Sequence, residues 1–299
     1  EAITWSFLPP AEAGHFADGA QLWVLDNPIS EDMKAMRPSL LPGLLMAAKR
    51  NLDRGAASLR LFEIGRRYLR SETGESDERL TLGMVLAGER TPRGWASGKA
   101  QPFDAFDAKG LALSLLEVGG VAVDKLQVAD GAGSQFHPGQ SGTLRLGPKN
   151  VLARFGAIHP GTLAGFDVDG PVVAVELFLD AIPARKGGGF ARAAYSPPAL
   201  QAVTRDFAFL VPVELLAGDL VRAVKGADKA NIVDARVFDD FRGQGVPEGR
   251  KSLAIEVTLQ PGEKSYTEAD FLAIQQRIFD AAKKVGAVLR IQGEVNATE

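Results

Sequence analysis

Met36-Arg37-Pro38-Ser39-Leu40-Leu41-Pro42-Gly43-Leu44-Leu45, closed by Lys49-Arg50-Asn51-Leu52 and answered by Leu61-Phe62-Glu63-Ile64-Gly65-Arg66-Arg67, reads as one helix leading into one strand. Ser39 is placed to cap the helix, Pro42 falls in the first turn where no amide donor is needed, and Gly55 offers the left-handed residue that stops it. Leu41, Leu44, Leu45, Ala48 and Leu52 recur at three- and four-residue steps and form one apolar face. Lys49 and Arg50 bring positive charge toward the C-terminal end of the helix dipole. A helix of this kind needs a surface to cover its apolar face.

The whole chain has 299 residues, of which 45% are hydrophobic, enough for two cores. No apolar stretch approaches the roughly 20 residues that cross a bilayer. The start, Glu1-Ala2-Ile3-Thr4-Trp5-Ser6-Phe7, lacks the basic residues of a secretion signal; no membrane partner is expected, and the absence of cysteine fits a cytoplasmic protein. The same stretch reads as a strand without an initiator Met, which points to a piece cut from a longer polypeptide. With no cysteine the chain cannot hold a disulfide, a thiolate zinc site or a cysteine nucleophile. A net charge of -3 argues against nonspecific polyanion binding, so any RNA contact has to come from a local patch.

Ala184-Arg185-Lys186-Gly187-Gly188-Gly189-Phe190-Ala191-Arg192, followed by Ser196-Pro197-Pro198, has the composition of a linker. It divides the chain into a module at 1–185, a linker at 186–198, a second domain at 199–292 and a tail at 293–299. In the first module strands are expected near 2–8, 59–69, 79–87, 121–128, 142–147, 151–158 and 171–179, with a second helix from Asp104 or Asp107 to Val118 ended by Gly119-Gly120. Consecutive strands on short turns favour an α+β fold with an antiparallel sheet. The second domain reads strand 203–211, helix 213–225, strands 232–241 and 251–259, helix 268–285 and strand 288–291, a split βαβ, ferredoxin-like order. Thr267-Glu268-Ala269-Asp270 is a capping box with Asp in the usual Glu position.

The ordered set of motifs resembles the beta subunit of bacterial phenylalanyl-tRNA synthetase, in its C-terminal portion. Asn27-Pro28-Ile29-Ser30 precedes the opening helix, Phe106-Asp107-Ala108-Lys109-Gly110 begins the second one, and His137-Pro138-Gly139-Gln140-Ser141 and Gly156-Ala157-Ile158-His159-Pro160 follow. Thr204-Arg205-Asp206, Val237-Phe238-Asp239-Asp240-Phe241-Arg242-Gly243, Lys251-Ser252-Leu253 and Lys264-Ser265-Tyr266-Thr267 look like the family's ferredoxin-fold anticodon-binding domain. Phe241 stands where the family commonly has tyrosine, and Lys264-Ser265-Tyr266-Thr267 replaces a usual Arg-Thr-Leu-Thr. The resemblance implies that 1–185 is a class II synthetase-like but non-catalytic module. A separate alpha subunit would carry the chemistry in a heterotetramer, with ATP and magnesium serving the complete enzyme and no cofactor held by this fragment. It implies too that the opening helix lies at a subunit interface, with Leu41, Leu44, Leu45, Ala48 and Leu52 covered by the alpha subunit.

The residues themselves offer no catalytic set. There is no phosphate loop, and the cluster Arg60, Arg66, Arg67 and Arg70 is split between the two faces of a strand, the adjacent Arg66 and Arg67 pointing oppositely, so it reads as a solvated strand end or an RNA-facing rim. His137 and His159 each precede proline, which favours a turn role, and no His pair or cysteine supports a metal. The second domain has the parts of an RNA reader, aromatic rings on a sheet and cations at strand ends. Phe241 is the candidate stacking ring; Arg205, Arg242, Lys251, Lys264 and Tyr266 complete the candidate contacts to phenylalanine tRNA, while Phe207 and Phe209 are assigned to the core. The alternative is a synthetase-derived regulatory protein that binds an amino acid, since ferredoxin-like folds serve both ends.

Overall fold

The computed structural model describes residues 1–70, 74–184 and 196–290. They group into two compact units, Glu1–Gly187 and Gly188–Glu299. Most of the expected linker at 186–198 and all of the tail at 293–299 lie outside the described residues.

In chain order the first unit contains β1 (Phe7–Leu8), α1 (Pro10–Gly14), β2 (Ala35–Met36), α2 (Leu41–Leu52), β3 (Ser58–Arg70), β4 (Ser76–Thr91), β5 (Gln101–Pro102), α3 (Ala105–Val118), β6 (Gln127–Ala129), β7 (Phe136–Leu146), β8 (Asn150–Ile158), α4 (Pro160–Gly165) and β9 (Val172–Phe178). The main sheet runs β3-β4-β9-β8-β7-β6, with β5 on β4, and every pairing is antiparallel. Helices cover both faces. On one, Leu41, Leu44, Leu45 and Ala48 of α2 pack among Leu59, Val85 and Ala174. On the other, Ala108, Ala112 and Leu116 of α3 meet Leu82, Leu152, Val175 and Leu177. Asp104 and Asp107 cap α3 reciprocally. At the start of α2 it is Leu40, not Ser39, that takes the N-cap position, without a side-chain cap; Ser39 lies one residue upstream, where its Oγ accepts the backbone N–H of Leu41 at 3.1 Å.

This packing corrects the expected subunit interface. Leu41, Leu44, Leu45 and Ala48 are fully buried within the chain and Leu52 is partly buried against the same core, so the sheet, not another subunit, covers the apolar face of α2. The sheet admits the helix closely because β4 offers a glycine beneath it: a Cβ added to Gly83 would lie 2.8 Å from Leu40 Cβ. One buried ion pair fixes the approach to the helix. Arg37 Nη1 donates to Glu63 Oε1 at 2.7 Å and to Thr4 Oγ1 at 3.0 Å, Arg37 Nε donates to Arg66 O at 2.8 Å, and Thr4 Oγ1 donates to Glu63 Oε2 at 2.7 Å. The guanidinium has room because a Cβ at Gly65 would come within 2.5 Å of Arg37 Nη2.

Three sequence readings of this unit change. The strand expected at 2–8 shrinks to Phe7–Leu8, because the upstream residues are tied to β3 instead, Ala2 N–H to Phe62 O at 2.7 Å and Thr4 to the buried pair. Of 121–128 only the end is strand, since Val123–Lys125 forms a single 3-10 turn. His137-Pro138-Gly139-Gln140-Ser141 lies within β7, where the register jumps from Phe136↔Ile158 to Ser141↔Gly156, so the turn is an outward irregularity of a longer strand. His137 Nδ1 accepts the Gly139 N–H and His159 Nδ1 accepts the Gly161 N–H, the local turn role expected of both.

The second unit contains β10 (Val203–Pro212), α5 (Ala217–Ala227), β11 (Ile232–Phe241), β12 (Arg250–Leu259), α6 (Glu268–Lys284) and β13 (Val288–Leu289). Its antiparallel sheet has the order β11-β12-β10-β13, the ferredoxin-like arrangement read from the sequence. The expected helix start at 213 moves to Ala217 because Val213 N–H is still bonded to Gly249 O at the strand end. The Thr267–Asp270 capping box is formed. Phe209, Val211, Leu253, Ile255 and Val257 make the core with Leu220, Val224, Ile274 and Ile278 of the helices.

Candidate nucleic-acid interface

Side-chain alternation and the pairing register divide the second sheet into two faces. Phe207, Phe209 and Val211 pair with Ile255, Leu253 and Lys251 and face the helices. Neither helix covers the opposite face, which presents Thr204, Asp206, Ala208 and Leu210 of β10, Ser252, Ala254, Glu256 and Thr258 of β12, and Asp234, Arg236, Asp239 and Phe241 of β11. Its two ends differ. Toward Val203 it carries Asp206, Asp234 and Glu256, the last held by Arg236 at 2.8 Å. Toward the other end sits Phe241, 39% exposed, with the Arg290 guanidinium 5.6 Å from its ring centre and Arg290 Nη1 donating to Ser252 Oγ at 3.4 Å. Phe238, at the bulge between Val237 and Asp239, adds a second exposed ring on the same strand.

The expected contact residues do not converge. Phe241 pairs with Ser252 at one end of β11, whereas Tyr266 is bonded to Asn231, which immediately precedes the other end. At about 3.3 Å per residue the strand separates these ends by about 30 Å. Phe241 and Arg242 belong to the first end; Arg205, Lys264 and Tyr266 belong to the second. Arg242 is exposed but already carries Asp240 at 3.1 Å, whose carboxylate raises the guanidinium pKa. Lys264 is exposed in the loop before α6. Arg205 faces the helices, its guanidinium 4.5 Å from the Phe271 ring centre and Nη1 donating to Thr204 O.

Two of the candidates have structural positions instead. Lys251 is 7% exposed on the helix-facing side, and burial lowers its pKa while the nearby Asp240 opposes that shift, so it is withdrawn from phosphate contact. Tyr266 has its ring 5.2 Å from Phe271 and its hydroxyl donating to Asn231 Oδ1 at 3.0 Å. Asn231 Nδ2 in turn donates to Asp228 Oδ2 at 2.8 Å, and Arg277 closes the network. Arg290 was missed: it lies one residue beyond a two-residue strand, and only the antiparallel pairing of that strand with β10 brings it beside Phe241.

The arginines of the first unit also stay apart. Arg60 stacks over Phe103, Arg67 over Phe178 and Arg70 over Trp23, while Arg66 pairs with Glu78 at 3.4 Å. Among the described residues no three His, Asp or Glu side chains come together as a metal site, and no helix is long and apolar enough to cross a membrane.

Residues 198–290 match the model of the ferredoxin-fold anticodon binding domain, and residues 1–179 match that of the phenylalanyl tRNA synthetase beta chain CLM domain. The chain belongs to the phenylalanyl-tRNA synthetase beta-chain family. It is 71% identical over 291 residues to the phenylalanine–tRNA ligase beta subunit of Novosphingobium aromaticivorans, a match over 97% of this chain and 37% of that protein. The corresponding subunit of Zymomonas mobilis is 56% identical, over 97% of this chain and 36% of that protein, and that of Brucella suis is 45% identical. The chain thus spans little more than a third of the length of these beta-subunit relatives. Family membership agrees with the antiparallel α+β module and the ferredoxin-like domain read from the sequence.

Proposed function

We propose that this chain is the portion of a phenylalanine–tRNA ligase that helps hold phenylalanine tRNA and assemble the subunits, while a separate alpha subunit activates the amino acid with ATP and magnesium in the cytoplasm. The observation that carries the RNA reading is the Phe241–Arg290 pair, a half-exposed ring beside a guanidinium on the uncovered face of a domain that matches an anticodon-binding model. Such a pair suits an unpaired base, which stacks on the ring while its phosphate meets the cation. The dispersed arginines of the first unit support the reading that the fragment makes no adenylate, because phosphoryl chemistry needs its cations on one set of oxygens. With the apolar face of α2 internal, the surface offered to the alpha subunit is the β3 edge, where Ile3, Trp5 and Ile64 are exposed beside the Ala2–Phe62 bond.

Titration of labelled phenylalanine tRNA with the chain tests the RNA reading. Phe241→Ala is expected to lose about 1–3 kcal/mol of binding, the usual worth of one stacked base, with Arg290→Ala lowering the salt dependence. Unchanged affinity in the double variant would remove this surface and favour the amino-acid-binding regulatory alternative.

A further inference from the structure

The connection between β4 and β5 holds a side chain that neither core uses. Trp95 is 100% exposed. It stands in a small closed loop in which Gly94 N–H donates to Gly98 O at 3.1 Å, Gly98 N–H returns to Gly94 O at 2.8 Å, and Ser97 Oγ donates to Pro92 O at 2.9 Å. The stem is tied as firmly. Arg90 Nη1 reaches Asp107 Oδ1 at 3.1 Å and Arg90 Nη2 donates to Gln101 Oε1 at 2.6 Å. Arg93 and Lys99 flank the indole and line the same concave surface, and from Thr91 to Phe103 there is no acidic residue.

We propose that this loop is a second RNA contact, on the first unit, with Trp95 stacking on an unpaired base and Arg93 and Lys99 meeting the phosphates on either side. The proposal rests on the reading of the chain as tRNA-binding and adds a site to it. A wholly hydrated indole contributes nothing to folding, yet the loop that presents it is ordered by its own hydrogen bonds, so little entropy is lost when a ligand docks. Every base has a face that stacks on indole, and two uncompensated cations select a polyanion. A protein groove fits less well, because beside the indole the loop offers only small apolar side chains, Pro92, Ala96 and Ala100, and lysine is depleted at interface cores.

The test is anisotropy of labelled phenylalanine tRNA with the full chain, measured across a salt series. Trp95→Ala is expected to weaken binding about 5- to 150-fold, with Trp95→Phe retaining most of the affinity. Arg93→Ala combined with Lys99→Ala should reduce the slope of log affinity against log salt by about 1.4. If these variants bind as the parent does while Phe241→Ala weakens binding, the loop proposal fails and the sheet-face reading stands; if neither set changes binding, both fail. Loss of alpha-subunit association with RNA affinity intact would make the loop a protein contact and overturn the proposal.

Discussion

Replacing Arg37 by Met would strand Glu63, whose side chain is 4% exposed, with only the Thr4 hydroxyl bonded to it among the groups of the Arg37 network. Removing one partner of a buried pair costs about 3–5 kcal/mol. For a unit of this size each kcal/mol lowers the melting temperature by about 2–4 °C, so a fall of about 6–20 °C is expected. Arg37→Met combined with Glu63→Leu removes both charges and should recover most of that loss. Gly65→Ala provides an independent check, because its Cβ would come within 2.5 Å of Arg37 Nη2 and 3.3 Å of Glu63 Oε1 and Leu40 Cδ2; it should destabilise the parent and cost less in the Arg37→Met background, where the shortest of these contacts is gone. Urea unfolding followed by tryptophan emission reads this unit alone, since Trp5, Trp23 and Trp95 all belong to it. Additive losses in the double variant, or a Gly65→Ala cost that is the same in both backgrounds, would refute the reasoning.

Leu44→Lys, which buries a charge among Leu59, Val85 and Ala174, should unfold the first unit rather than only dissociate subunits, seen as a lost tryptophan transition in the isolated chain. Lys251→Met should stabilise the second unit at neutral pH and leave tRNA affinity unchanged. Burial lowers the folded-state pKa of Lys251, so the unfolded chain binds more protons between the two values and the parent gains stability as pH rises through that window. The advantage of Met should therefore shrink toward the ordinary lysine pKa, and a pH-independent difference in denaturation midpoints by circular dichroism would contradict this.

The elements were legible because their signals are local. Gly55, Asp104 and Thr267 mark helix ends by capping and turn chemistry, and Ile232–Phe241 was read to the residue. The relations between elements were less so. The 3.6-residue spacing of Leu41, Leu44 and Leu45 demands a cover but does not name it, and here the cover is a sheet whose strands are far apart in sequence. Lys251 opens the strand expected at 251–259, which suggests an exposed end, yet the observed strand already begins at Arg250 and its register turns Lys251 toward the helices. Arg290 and the Arg37–Glu63 pair depend on long-range pairing that no spacing encodes.

The core cluster of Phe209, Leu253 and Ile278 falls wholly within the second unit, and those of α2 and α3 within the first. Amide exchange should accordingly show two separate protection ceilings, each set by its own unit's opening. During synthesis the first unit can complete its sheet before α6 has left the ribosome, because every strand of that sheet ends by Phe178. Inherited or engineered substitutions would then sort by address: those near Gly65 expose the first module to proteases while leaving the anticodon-binding-type domain folded and protected, and those near Ile278 do the reverse.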